Sequence, residues 1–186
     1  MAVERVERRL RRVTAALDAA GIPYAVVGGN AVAAWVARAD PSATRATKDV
    51  DLLVERGDVE RVTTTLERLG FQRQNVRSLV LFIDPEEPSR RAGVHLIWAN
   101  ERVFPSYPLA APAVDEAEQD PAGFRVLSLR ALVRMKLTSY RDIDRVHVAD
   151  LRSVGLIDEH VRAALPAVLL ERLRAVEQQM DEQAGE

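Results

Sequence analysis

Apolar residues recur at steps of three and four in Val3, Val6, Leu10, Val13 and Leu17. That spacing predicts an amphipathic helix, which Gly21 closes. Pro23 then leads into Tyr24-Ala25-Val26-Val27, an unbroken apolar run that reads as a buried strand. Gly28-Gly29-Asn30 ends it, and a second helix is expected from Ala31 to about Ala39, stopped by Asp40-Pro41-Ser42. Asp49 to Val54 begins with alternating polar positions and reads as another strand. Val59, Val62, Leu66 and Leu69 mark a third helix, closed by Gly70. One or two strands are expected within Phe71–Asp84 and another over Gly93–Trp98. Residues 100–123 hold four of the nine prolines and an acidic run from Asp115 to Asp120. They read as a surface connector with one strand near Phe104. From Leu127 onward the period is helical: about Leu129–Tyr140, Ile143–Val154, Glu159–Ala164 and Val168–Gln183. The expected class is α+β, with a mixed sheet flanked by helices over residues 1–125 and a helical region over 126–186 packed on it.

Composition narrows this picture. At 186 residues, 47% of them apolar, the chain can bury one real core without staples. It contains no cysteine, which excludes disulfides, thiolate metal sites and a cysteine nucleophile. No apolar stretch approaches the roughly 20 residues that span a bilayer. The N-terminal segment alternates charge and does not read as a secretory signal, so a cytoplasmic, non-membrane protein is expected. A net charge of -2 supplies no global attraction to nucleic acid. Arg8, Arg9, Arg11, Arg12, Arg90 and Arg91 could offer some basic surface to an RNA, though ordinary solvated faces suit so Arg-rich a chain better. Only two lysines occur, Lys48 and Lys136.

Two constellations carry chemistry. In the first, Gly28-Gly29-Asn30 leaves a strand and Lys48-Asp49-Val50-Asp51 enters another. Alternate residues of a strand share a face, so Asp49 and Asp51 set two carboxylates side by side. Such a pair calls for a positive charge between them, and a hard divalent cation suits it. Glycines at a strand-to-helix turn let backbone approach a phosphate, which the helix N-terminus favours. In the second constellation, Lys136 falls within the apolar face of Leu129, Leu132, Val133, Leu137 and Tyr140. It must snorkel out, find an anion inside, or point into a cleft at a phosphate. On the next helix Asp144, His147 and Asp150 share a broad side with apolar residues. Asp144 could serve only the helix N-terminus, His147 could be a hydrogen-bonded core histidine, and Asp150 could pair with Lys136 or an arginine. The stripe Leu165, Leu169, Leu173, Val176 and Met180 is either core or the seam of a homodimer.

These segments resemble the nucleotidyltransferase superfamily, and within it small bacterial proteins of the AbiEii-type toxin group. The resemblance rests on Val26-Val27-Gly28-Gly29-Asn30-Ala31, on Thr47-Lys48-Asp49-Val50-Asp51-Leu52, and on the block from Leu127 to Leu151 with its Lys136, Arg141 and Asp150, followed by Val154–Asp158. It spans about Gly21 to Leu173. It implies Mg²⁺ or Mn²⁺ held by Asp49 and Asp51, and an NTP triphosphate against Gly28, Gly29 and Asn30. Lys48, Lys136 and Arg141 would also serve the nucleotide, and Asp150 would orient Lys136 or the acceptor. The reaction implied moves a nucleoside monophosphate to an acceptor hydroxyl of RNA, tRNA or protein. A toxin role would add an antitoxin as partner. Catalytic degeneration on the same fold, leaving a nucleotide-binding or protein-interaction module, is the alternative. Two features depart from the superfamily pattern. His95 stands on a later strand where a third carboxylate is common, and a histidine suits transition metals better than Mg²⁺. Twenty residues also separate Gly28 from Asp49, a long interval.

Overall fold

The computed structural model describes residues 2–76 and 79–185. The side chain of Val3 and residues 77 and 78, inside the stretch expected to hold one or two strands, lie outside that set. Helix α1 (Ala2–Ala19) buries Val6, Leu10, Val13 and Leu17 as their spacing requires. It ends in a paired cap: Ile22 N–H donates to the Leu17 carbonyl and Gly21 N–H to that of Asp18, both at 3.0 Å. Gly21 has φ +60°, a conformation a Cβ would strain.

Strand β1 (Tyr24–Val27) is buried at every position and runs straight into α2 (Gly28–Ala39), which begins three residues earlier than its apolar pattern suggests. Then come β2 (Val50–Val54), α3 (Val59–Arg68), β3 (Gln72–Val76), β4 (Leu79–Ile83) and β5 (Val94–Trp98). Strands β6 (Ala117–Gln119) and β7 (Arg125–Leu127) complete a seven-stranded sheet of order β3-β4-β5-β2-β1-β7-β6. The pairs β1–β7 and β2–β5 are parallel and the others antiparallel. Helices α4 (Leu129–Ser139), α5 (Asp142–Ser153), α6 (Glu159–Ala163) and α7 (Ala167–Ala184) follow. The class is the mixed α/β sheet with flanking helices that the pattern implies.

The structure corrects two expectations. No strand forms near Phe104; β6 and β7 form instead, each of three residues and so too short for a period-2 signal. The acidic run is not a solvated face. Arg38 pairs with Glu118 and with Asp120, which is buried, while Arg134 grips Glu116. Strand β7 spans residues 125 and 126, and one hydrophobic cluster runs from Val6 to Val176. Leu165, Leu169, Leu173 and Val176 are buried within that cluster, which favours the core reading of the terminal stripe over the homodimer seam. Among the described residues, no helix is long and apolar enough to cross a membrane.

Candidate active site

The β1–β2 register sets Val27 opposite Asp51, and the β2–β5 register sets Asp51 opposite His95. The start of α2 and the starts of β2 and β5 therefore meet at one end of the sheet. Gly28, with φ +66°, is obligatory there: a Cβ would lie 2.0 Å from Asp51 Oδ2. A Cβ on Gly29 would meet Thr47 Oγ1 at 2.9 Å. Helix α2 has no side-chain cap at its N-terminus, so its first amides keep donor capacity for an anion.

Asp49, Asp51 and His95 offer three ligand atoms within 4.8 Å of one another. Thr47 Oγ1 donates to Asp49 Oδ1 at 2.7 Å and Asn30 Nδ2 donates to the Asp49 carbonyl at 2.7 Å. The donor chemistry tests whether a cation fits. His95 Nε2 lies 2.9 Å from the Arg90 carbonyl, which can only accept, so Nε2 carries the proton. In the neutral ring, Nδ1 then points a lone pair at Asp51 Oδ1 (3.2 Å) and towards Asp49 Oδ2 (3.7 Å). Three acceptors converge, and only a second ring proton or a metal ion reconciles them. The hydrogen bond to Asp51 accordingly raises the His95 pKa against the opposing effect of burial. The residues fit a divalent cation.

The facing wall comes from α4 and α5. Tyr140 takes a left-handed conformation (φ +51°) and breaks the helix, and Arg141 begins the next one. The chain thereby folds the first turn of α5 back on the last turn of α4. Lys136 Nζ donates to Asp144 Oδ1 at 3.1 Å, with both side chains buried. Asp144 Oδ2 accepts from Ser139 Oγ (2.8 Å), Arg141 Nε (2.7 Å) and the Arg141 amide (3.2 Å). Burial pushes the Asp144 carboxyl up, but the Arg141 hydrogen bond and the Lys136 charge prevail and hold it at about 2. His147 is driven down to about 4, first by burial and then by Lys136, and its Nδ1 is buried without a hydrogen-bond partner.

Between these walls lies a cavity of about 460 Å³. The structure brings Gly28, Gly29, Asp49, Asp51, His95, Lys136, Arg141, Asp144 and His147 to its lining. It does not bring the others. Asp150 is not the partner of Lys136: it pairs with Arg45 at 2.7 Å, because the register break at Tyr140 gives Lys136 to Asp144. Asn30 spends its amide on the Asp49 backbone, and Lys48 is exposed outside the cavity. Sequence reasoning missed Thr47, two residues before Asp49, where a hydroxyl beside a carboxylate was the available signal. It also missed Arg9, which is no basic surface. Its guanidinium is buried, bonds Asp84 and Glu87 at 2.8 Å and donates to the Lys48 carbonyl at 3.2 Å, bracing the strand entry; Arg8 and Arg12 bind Glu86. Nothing in its local pattern distinguishes Arg9 from its neighbours.

The same architecture occurs in solved structures. ANT(2")-Ia in complex with adenylyl-2"-tobramycin superposes with a TM-score of 0.58 at 18% identity, over 91% of this chain and 97% of that one. Lincomycin-bound LnuA, a lincosamide antibiotic adenylyltransferase, gives 0.52 at 14% identity over 75% of this chain and 91% of that one. An antigenic nucleotidyltransferase-like protein from Paracoccidioides brasiliensis gives 0.55 at 15% identity over 100% and 93%. At such identities the likeness is one of fold. No curated protein sequence matches the chain. The model of one sequence family, described as uncharacterised nucleotidyltransferase, matches residues 2–134, which include the glycine turn, both aspartates and His95. The chain belongs to that nucleotidyltransferase family.

Proposed function

We propose that the protein moves a nucleoside monophosphate from an NTP to an acceptor hydroxyl, with a divalent cation held by Asp49, Asp51 and His95 Nδ1. The observation that carries this is the convergence of those three acceptor atoms beside the uncapped start of α2, opposite Lys136 and Arg141. When bound, the cation would neutralise triphosphate charge and assist departure of pyrophosphate. Gly28 and Gly29 let Asp51 and Thr47 close against the start of α2, whose uncapped amides favour a phosphate. Arg141, whose side chain is 63% exposed, bonds Asp144 through Nε and Nη2 and can reach an anion with Nη1. Lys136, held by Asp144, contributes fixed positive charge. The acceptor oxygen forms a bond to the α-phosphorus as the bond to pyrophosphate breaks, and the hydroxyl proton passes to a carboxylate oxygen not engaged by the cation.

Calorimetric titration of each NTP with Mg²⁺ or Mn²⁺ tests this on the wild type and on Asp49→Asn/Asp51→Asn. Metal-dependent binding in the first and its loss in the second support the reading. Metal-independent binding, or binding unchanged in the variant, overturns it. NTP binding without transfer to any acceptor supports the alternative favoured by His95 at the third position, a degenerate nucleotide-binding protein. A toxin of the AbiEii type would use the same residues on a macromolecule, so labelling of tRNA or protein rather than small molecules separates that finer reading.

A further inference from the structure

Six large apolar side chains stand exposed among the described residues, and four of them, Leu79, Val103, Phe104 and Ile143, line the one cavity that holds the aspartate pair. Scattered exposed apolar residues need no explanation, but a cluster in a concave site does. The wall they build is firm. The neck of the 100–112 loop is closed by two backbone bonds, Ala111 N–H to the Glu101 carbonyl at 2.8 Å and Asn100 N–H to the Pro112 carbonyl at 3.2 Å. At its tip, Tyr107 N–H donates to the Phe104 carbonyl at 3.0 Å, and the two rings meet edge to face at 5.2 Å. The sheet supplies the floor: Ile97 lies two residues beyond His95 on the same strand face, so polarity ends where the Asp49–Asp51–His95 cluster ends.

Charge completes the description. The only carboxylates among the described lining residues are Asp49, Asp51 and Asp144. The first two face His95, and the third is saturated by Lys136, Arg141 and Ser139. With a divalent cation held by Asp49 and Asp51, a polycation entering beside the nucleotide would meet no free anion, and Lys136 and Arg141 besides.

We propose that the acceptor is a small hydroxyl-bearing molecule with an uncharged apolar body, of the chemistry of an aryl or alkyl glycoside, seated against Phe104, Val103 and Ile143. This rests on the nucleotidyl-transfer reading and names its substrate class. The test uses the whole chain and two calorimetric titrations run separately: phenyl β-D-glucoside and tobramycin as acceptor probes, each with and without Mn²⁺, and the α,β-methylene analogues of the four NTPs. Wild type is compared with Phe104→Ser/Val103→Ser. Both side chains are largely exposed, at 51% and 40%, so the variant keeps its fold and its melting temperature. The expected result is glucoside binding by the wild type, weakened about tenfold or more in the variant while nucleotide affinity holds. Tobramycin is expected to bind more weakly than the glucoside. The proposal is overturned if tobramycin binds as tightly as the glucoside. It is equally overturned if the variant loses nucleotide rather than glucoside affinity, which would make the wall a nucleobase site. Absence of nucleotide binding in the wild type would overturn the transfer reading alone, since the glucoside titration is read independently.

Discussion

Two clusters of ionisable side chains face each other across the cavity, and they differ in how far their charges are answered. Around Asp144 every acceptor position is filled, by Lys136, Ser139 and both the backbone and side chain of Arg141. Around Asp51 the acceptors outnumber the protons unless His95 Nδ1 takes a second proton or a cation enters. The first arrangement is what folding requires of a buried charge. The second is tolerable only if a proton or cation joins it, so it is the cluster that can do work on a ligand. Two groups of carboxylate and basic residues, alike in a sequence, thus divide into a positioning element and a binding element.

The largest expected effect breaks the filled cluster. Asp144→Ala leaves the Lys136 ammonium buried without its anion and should cost about 3–5 kcal/mol of stability, measured by urea unfolding. In the open cluster, Asp51→Asn should lower metal-dependent nucleotidyl transfer by about 100-fold or more, roughly 2.7 kcal/mol, while the melting temperature does not fall, because one of three converging acceptors becomes a donor. Acid should expose the same contrast. The Asp144 carboxyl titrates at about 2 in the fold against its usual 3.8. Its contribution of about 2 kcal/mol is therefore complete above about pH 4 and is lost as pH falls toward 2. His147, lowered from 6.5 to about 4, binds its proton more readily when unfolded, so stability also declines as pH drops from about 6.5 to about 4. Asp144→Asn should remove the lower phase from a denaturation series in pH and leave the upper one. His95→Asp sharpens the comparison at the level of metal choice: replacing nitrogen by a carboxylate oxygen should shift the ratio of Mn²⁺ to Mg²⁺ affinity toward Mg²⁺ by about tenfold, read by calorimetry without nucleotide. Smallest of all, Lys48→Ala should change stability by less than about 0.5 kcal/mol and leave NTP affinity unaltered, since that side chain is exposed outside the cavity.

The clusters were not equally legible. Gly28, Asp49 and Asp51 lie within 24 residues, and strand alternation with a glycine turn is enough to bring them together. Lys136 was legible as an anomaly, an ammonium on an apolar face, but its partner was not. The break between the helices near residue 140 was legible, but not that Tyr140 turns left-handed and hands Lys136 to Asp144, leaving Asp150 for Arg45. The loop over residues 100–112 carries no periodicity, so its prolines read as surface when its apolar side chains in fact wall the cavity.

By itself the sequence determined the class of the fold, the helices and most strands, and the aspartate pair, because hydrophobic period and close spacing are local properties. Only the tertiary structure decided that β6 and β7 extend the sheet, that Arg9 is spent inside, that the terminal stripe is core, and which acid answers which base. Those outcomes depend on pairings across tens of residues, where the winning contact is the one that leaves no buried charge unanswered.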